Sequence, residues 1–245
     1  MTPLVAVGLK AYLSVERSLA WARGLADALA GSPRDVEVAV FPDALVAREC
    51  VGILAPAGIA VGAQDVSAFG PGPYTGETPA ELLAEAGLRY AEVGHVERRR
   101  LLGETDEVVR AKALAAADAG LAPLLCVGEA EPGPGAADAC LRQLEPVAEA
   151  LGGRPLVVAY EPVWAIGRAE PADPAHVVAV AERLRAALPS GARLVYGGSA
   201  QPGLATRLGA AVDGLFLGRF AHDVTAAASV IAEIRSVSEQ REKSA

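Results

Sequence analysis

A closed barrel of eight parallel strands wrapped by helices, a (β/α)8 fold filling residues 1–245 as a single domain, is the architecture the sequence predicts. Three observations predict it. Short β-rich apolar runs alternate with Ala/Leu/Glu/Arg segments of helical spacing along the whole chain. The runs are continuous rather than alternating in polarity, as parallel strands covered on both faces require. No compositional break or linker divides the 245 residues. An open doubly wound sheet is the competing architecture, but the dinucleotide signature G-x-G-x-x-G is missing after the first strand, where the chain reads "VGLKAY".

In chain order the expected strands are "LVAVGL", "VEVAVF", "IAVGAQDV", "YAEVGH", "LAPLLCVG", "PLVVAY", "RLVYGG" and "GLFLG". The expected helices include "SVERSLAWARGLADALA", "TPAELLAEAG", "TDEVVRAKALAAADAG", "AADACLRQLEPVAEAL" and "DPAHVVAVAERLRAAL". Ser14, Thr105 and Asp173 stand where side-chain oxygens cap helix N-termini, and Gly31, Gly87 and Gly120 stand where helices stop. "EAEPGPGAAD" and "RAEPADP" read as surface loops, and the polar tail "SVSEQREKSA" is expected to fray.

Composition narrows the function classes. The chain is 52% hydrophobic and 21% charged, enough for a large core. Its formal charge of -8 disfavours nucleic acid and anionic membrane as partners. Cys50, Cys126 and Cys140 are odd in number and far apart, which fits a reducing compartment and neither a disulfide frame nor a zinc site. The N-terminus lacks a leader pattern, and no window offers ~20 uninterrupted apolar residues, so a cytoplasmic protein is expected.

In a (β/α)8 barrel the strands' C-terminal ends converge on the functional face. Reading the end of each run places Lys10, Gln64, Asp65, His95, Glu129, Glu161, the turn 197–199 and Gly218 with Arg219 on one rim. Singly each has a plain structural reading: a surface lysine, a satisfied histidine, a strand-end carboxylate. Together they make a chemical set. A carboxylate abstracts a proton beside a carbonyl when a donor stabilises the oxyanion that develops. The glycine turns after the seventh and eighth strands let backbone N–H groups approach a phosphate.

The segments "GAQDVS", "YTGE", "EVGHVERRRLLGETDEVV", "CVGE", "AYEPVWAIG", "YGGS" and "VDGLFLG" together closely resemble the triosephosphate isomerase family, from the first strand to the last. This family is itself the standard worked case of a glutamate base paired with a neutral histidine, so the roles come with the resemblance. It implies a TIM barrel in which Glu161 is the base, His95 the electrophile and Lys10 the electrostatic stabiliser. Gly8, Gly167, Ser199, Gly218 and Arg219 fall at its substrate and phosphate positions. The implied ligand is a small phosphorylated sugar, dihydroxyacetone phosphate or glyceraldehyde 3-phosphate, with no cofactor and no metal. The loop at residues 67–77 resembles the family's dimer loop, with Thr75 reaching into a second subunit of a homodimer.

Several positions depart from the family pattern. Gly8 replaces an asparagine, which predicts added room beside Lys10, and Val96 replaces a serine that holds the base when the site is open. Arg219 replaces the second of two glycines and either turns inward onto an anion or outward into a salt bridge. In the lid after Glu161, the residues Arg168, Ala169, Glu170, Pro171 and Ala172 replace Thr-Gly-Lys-Thr-Ala, which predicts a stiffer hinge. Glu97, Arg98, Arg99 and Glu104 are expected to form a structural ion network, Trp164 to pack at the lid hinge, and Trp21 on a helix face. The altered walls leave open an isomerase of a related tetrulose phosphate, or a phosphosugar-binding barrel with weakened catalysis.

Overall fold

The structure of the protein, a computed structural model, describes residues 1–168 and 170–244, with side chains to residue 240. Among the described residues there are eight strands: β1 Leu4–Gly8, β2 Glu37–Phe41, β3 Ala60–Ala63, β4 Tyr90–Val93, β5 Ala122–Val127, β6 Val157–Tyr160, β7 Arg193–Tyr196 and β8 Gly214–Leu217. They close in sequence order, β8 pairing back onto β1, and every pairing is parallel. The helices are α1 Val15–Ala28, α2 Ala47–Leu54, α3 Ala80–Glu85, α4 Val96–Leu102, α5 Asp106–Asp118, α6 Ala136–Leu151, α7 Pro174–Ala187, α8 Leu204–Leu208 and α9 Val224–Ser244.

The strands read as unbroken apolar runs because they feed two cores. Val5, Val7, Val38, Val40, Leu125 and Leu194 face outward onto the helices, whose own buried positions recur every three or four residues, as Trp21, Ala22 and Leu25 do in α1. Leu4, Ala6, Phe41, Tyr90, Leu124 and Phe216 face inward and fill the barrel. Truncating Leu25 or Leu144, both fully buried, is expected to cost about 2–5 kcal/mol. At the N-terminal mouth Arg193 bonds Glu37 at 2.6 Å and the Tyr90 hydroxyl at 2.7 Å, and that hydroxyl also donates to Glu37.

Local chemistry sets the helix ends. Ser14, Thr105 and Asp173 accept hydrogen bonds from the backbone N–H groups of Arg17, Val108 and Ala175, and Gly31, Gly87 and Gly120 take left-handed φ. The polar tail is drawn into helix, α9 continuing to Ser244. The segment before β3, not among the helices named from the sequence, holds α2, whose N-cap Val46 makes no side-chain bond; Ala47, Cys50 and Leu54 bury its inner face. All three cysteines are free and buried. No helix among the described residues is long and apolar enough to cross a membrane.

Candidate active site

Parallel strands in a closed ring deliver their C-terminal ends to one mouth, and a cavity of about 1220 Å³ opens there. Its lining includes Gly8, Lys10, Glu92, His95, Glu97 and Glu161, with the turns at 197–199 and 218–219 on the far side. The catalytic and substrate-site candidates Lys10, His95, Glu161, Gly8, Gly167, Ser199, Gly218 and Arg219 border this cavity, as do Gln64 and Asp65, whereas Glu129, placed on the same rim from the sequence, does not line it.

His95 closes β4 and caps α4. The backbone N–H of Glu97 donates to its Nδ1 at 3.2 Å, so that nitrogen is an acceptor and the ring carries its hydrogen on Nε2, facing the cavity. Lys10 Nζ lies 3.1 Å from His95 Nε2 and donates to Glu97 Oε1 at 2.8 Å. Burial works to lower the Lys10 pKa, but the hydrogen bond to Glu97 and the fields of Glu161, Glu97 and Glu92 outweigh it, so the ammonium is held above its ordinary value. Two donors, the Lys10 ammonium and the His95 N–H, therefore converge on one spot. Lys10 sits at φ 49°, and Ser199 at φ 50°. They are the described non-glycine residues with positive φ, and both border the cavity.

Glu161 is 7% exposed, and its Oε2 stands 3.6 Å from His95 Nε2 with no hydrogen-bond partner. The carboxylate has this seat because Gly197 has no side chain: a Cβ there would stand 2.6 Å from Oε1 and 2.7 Å from Cγ. Val96 offers no hydroxyl that would hold the carboxylate elsewhere. A buried carboxylate with a free oxygen, facing an imidazole N–H and an ammonium, is equipped to take a proton from carbon while the two donors hold the resulting oxyanion.

The lid is anchored at both ends. Glu129 Oε1 accepts from the Tyr160 hydroxyl (3.1 Å), Trp164 Nε1 (2.9 Å) and His176 Nε2 (2.9 Å), so this rim acid fixes the lid hinge. Trp164 thus hydrogen-bonds as well as packs. At the other end the Ala172 N–H donates to the Tyr196 hydroxyl at 3.2 Å, while the single hydroxyl hydrogen of Ser199 is shared between the carbonyls of Ala165 and Arg168, 2.8 and 3.0 Å away. Gly167 takes φ 73°. The expectation about Ala169 lies outside the described residues.

Two expectations are corrected. The room predicted beside Gly8 is taken by the Phe216 ring, which would lie 3.2 Å from a Cβ on Gly8. Glu97 is not part of the structural ion network but holds Lys10; the network joins Arg98 and Lys112 to Asp65 and Glu104, with Arg99 on Asp106. Arg219 makes no salt bridge among the described residues; its Nη2 donates to the Gly167 carbonyl at 3.4 Å, with its guanidinium carbon 6.0 Å from the centroid of the Tyr12 ring. Trp21, beyond packing in α1, donates to the Ala221 carbonyl at 2.9 Å and so ties the segment after Arg219 to the helical layer.

Glu92 is the site residue that sequence reading overlooked. It lies on the inner face of β4 between Tyr90 and His95, 6% exposed, and borders the cavity. Burial pushes its carboxyl up to about 7, partly offset by the nearby His95 and Lys10. A charged residue inside an expected buried strand was the available signal.

The triosephosphate isomerase family model matches residues 3–234. A protein of Pectobacterium atrosepticum named L-erythrulose-1-phosphate isomerase is 42% identical over 251 residues, covering 96% of each chain. A Rhizobium etli protein of the same name is 38% identical over 250 residues, covering 96% of this chain and 93% of its own. A triosephosphate isomerase of Thiobacillus denitrificans is 41% identical over 223 residues, covering 86% of this chain and 88% of its own. A barrel closed in sequence order, a matching family model and relatives alike over nearly the full length agree: the chain belongs to the triosephosphate isomerase family and is an isomerase of the aldose–ketose type.

Proposed function

We propose that this isomerase moves a proton between adjacent carbons of a small sugar phosphate, with Glu161 as base, and that its preferred substrate is a four-carbon ketose phosphate of the L-erythrulose 1-phosphate kind. The observation that carries the chemistry is the free Oε2 of Glu161, 3.6 Å from a His95 nitrogen that bears its hydrogen. Glu161 takes the proton from the hydroxyl-bearing carbon beside the carbonyl, and the C–H electron pair becomes the C=C bond of an enediolate. His95 Nε2–H and Lys10 stabilise the oxygen that gains charge. Return of the proton to the neighbouring carbon, with the hydroxyl proton passing from the first carbon's oxygen to the oxygen of the former carbonyl, leaves the carbonyl moved by one position. Electrons stay within the substrate, so the cycle is redox-neutral.

The four-carbon reading is supported by the names of two relatives that align over 96% of this chain, and by cavity walls that differ from the family pattern at Gly8, Val96 and Arg219. The three-carbon substrate, dihydroxyacetone phosphate, remains the second reading, supported by relatives named triosephosphate isomerase. The phosphate is assigned to the turns at Ser199 and Gly218, with Arg219 closing over it from the lid side. Turnover of L-erythrulose 1-phosphate is compared with that of dihydroxyacetone phosphate, together with solvent proton exchange at the reacting carbon. Exchange unaltered in Glu161→Gln would show that the base is misassigned, and a wild type equally poor on both substrates would refute the isomerase chemistry.

The homodimer belongs to the same proposal. Phe69 and Tyr74, 50% and 41% exposed, stack 4.4 Å apart beside Thr75 and present an apolar face to solvent. A two-fold partner covers it. A single monomeric species by light scattering at micromolar concentration would defeat the dimer.

A further inference from the structure

Glu92 takes no part in the proton transfer set out above, yet it forms part of the cavity floor. Among the described residues its carboxyl receives one side-chain hydrogen bond, from the Cys126 thiol at 3.7 Å, long even for sulfur. Burial pushes the Cys126 thiol pKa well up, so this partner stays a neutral, weak donor. A carboxyl group with most of its hydrogen-bonding capacity unmet, 6% exposed and bordering a cavity, is a group arranged for something that enters the cavity.

The topology says which part of a ligand arrives there. In a ring closed in sequence order, β4 stands across the barrel from β8. A sugar phosphate held by the turns after β7 and β8, with its reacting carbons between Glu161 and His95, has its far end directed at β4. A three-carbon chain ends at the reacting carbons. A fourth carbon continues past them, and the β1 side is closed to it by the Phe216 ring, which fills the space beside Gly8. The neighbouring inward rings of Phe41 and Phe216 are apolar, and the Gln64 amide that also lines the cavity already donates to the Lys10 and Phe41 carbonyls, so a terminal hydroxyl meets its polar partner at Glu92.

We propose that Glu92 receives the terminal hydroxyl of the fourth carbon and is the residue that separates a tetrulose phosphate from a triose phosphate. This rests on the four-carbon reading above. A site that hydrogen-bonds a substrate hydroxyl discriminates strongly against a substrate lacking it, because the buried partner is then left unpaired. Glu161 and His95 act on atoms common to both substrates, whereas Glu92 touches an atom that only the longer one has.

The test is steady-state kinetics of Glu92→Leu and Glu92→Gln on L-erythrulose 1-phosphate and dihydroxyacetone phosphate. Circular dichroism first checks that each variant is folded; Gln keeps the shape of the side chain should Leu not fold. For Leu, kcat/KM on the tetrulose phosphate is expected to fall roughly ten- to hundredfold, with the triose phosphate little changed. Gln, which still hydrogen-bonds, is expected to keep part of the activity. On a wild type active with the tetrulose phosphate, equal losses on both substrates, or no loss on either, overturn the role of Glu92 alone. A wild type active only on the triose phosphate overturns both the four-carbon reading and this inference.

Discussion

Replacing Gly197 with alanine isolates the position of the proposed base. The backbone of Gly197 lies outside the left-handed region, so alanine brings no conformational strain. The added Cβ would stand 2.6 Å from Glu161 Oε1, where ordinary contact begins at 3.4 Å. The carboxylate must therefore withdraw by about 0.8 Å, the difference of those distances. Misplacing a reacting group by about 1 Å costs about 10²-fold, which corresponds to about 2.7 kcal/mol of barrier. We expect kcat to fall by about that factor while KM changes little, because Ser199 and Gly218 are untouched. The assay is turnover and solvent proton exchange on both candidate substrates, with thermal unfolding as the control for integrity. A folded Gly197→Ala enzyme with wild-type kcat would refute the view that this seat for Glu161 is used in the reaction.

Other variants probe other parts of the site. Glu92 has a carboxyl raised from 4.5 to about 7 by burial, so the unfolded chain ionises first as pH rises and Glu92 opposes folding increasingly between those values. Glu92→Gln should stabilise the protein by up to about 3 kcal/mol at pH 8 and by little near pH 4.5, read from urea midpoints; a pH-independent difference would contradict this. Arg219→Ala should raise KM for the phosphorylated substrate roughly tenfold with a smaller effect on kcat, and an unchanged KM would leave Arg219 only its contact with the Gly167 carbonyl. Trp164→Phe removes the 2.9 Å bond to Glu129 and should cost roughly 1–2 kcal/mol in denaturant melts, moving kcat and KM together as a lid-hinge change does; stability and kinetics both at wild-type values would dismiss the anchor.

The barrel, its strand order and the mouth holding Lys10, His95 and Glu161 were legible in the chain because they rest on local signals: unbroken apolar runs, helix caps at Ser14, Thr105 and Asp173, and residues at strand ends. The short α2, eight residues from Ala47 to Leu54, was not among the helices named. What the three-dimensional structure alone decided were matters of which groups share space. A sequence shows that Gly8 lacks a side chain, but only packing shows that Phe216 occupies the room. It shows Glu97 beside Arg98, but only the rotation of α4 turns Glu97 toward Lys10, 87 positions away. It shows Glu92 within a β-rich run, but only barrel closure places that carboxyl beneath His95 and beside Cys126. Strand and helix periodicities are set by neighbours along the chain, whereas a cavity is walled by residues far apart in it, and their contacts depend on side-chain volumes that no local pattern encodes.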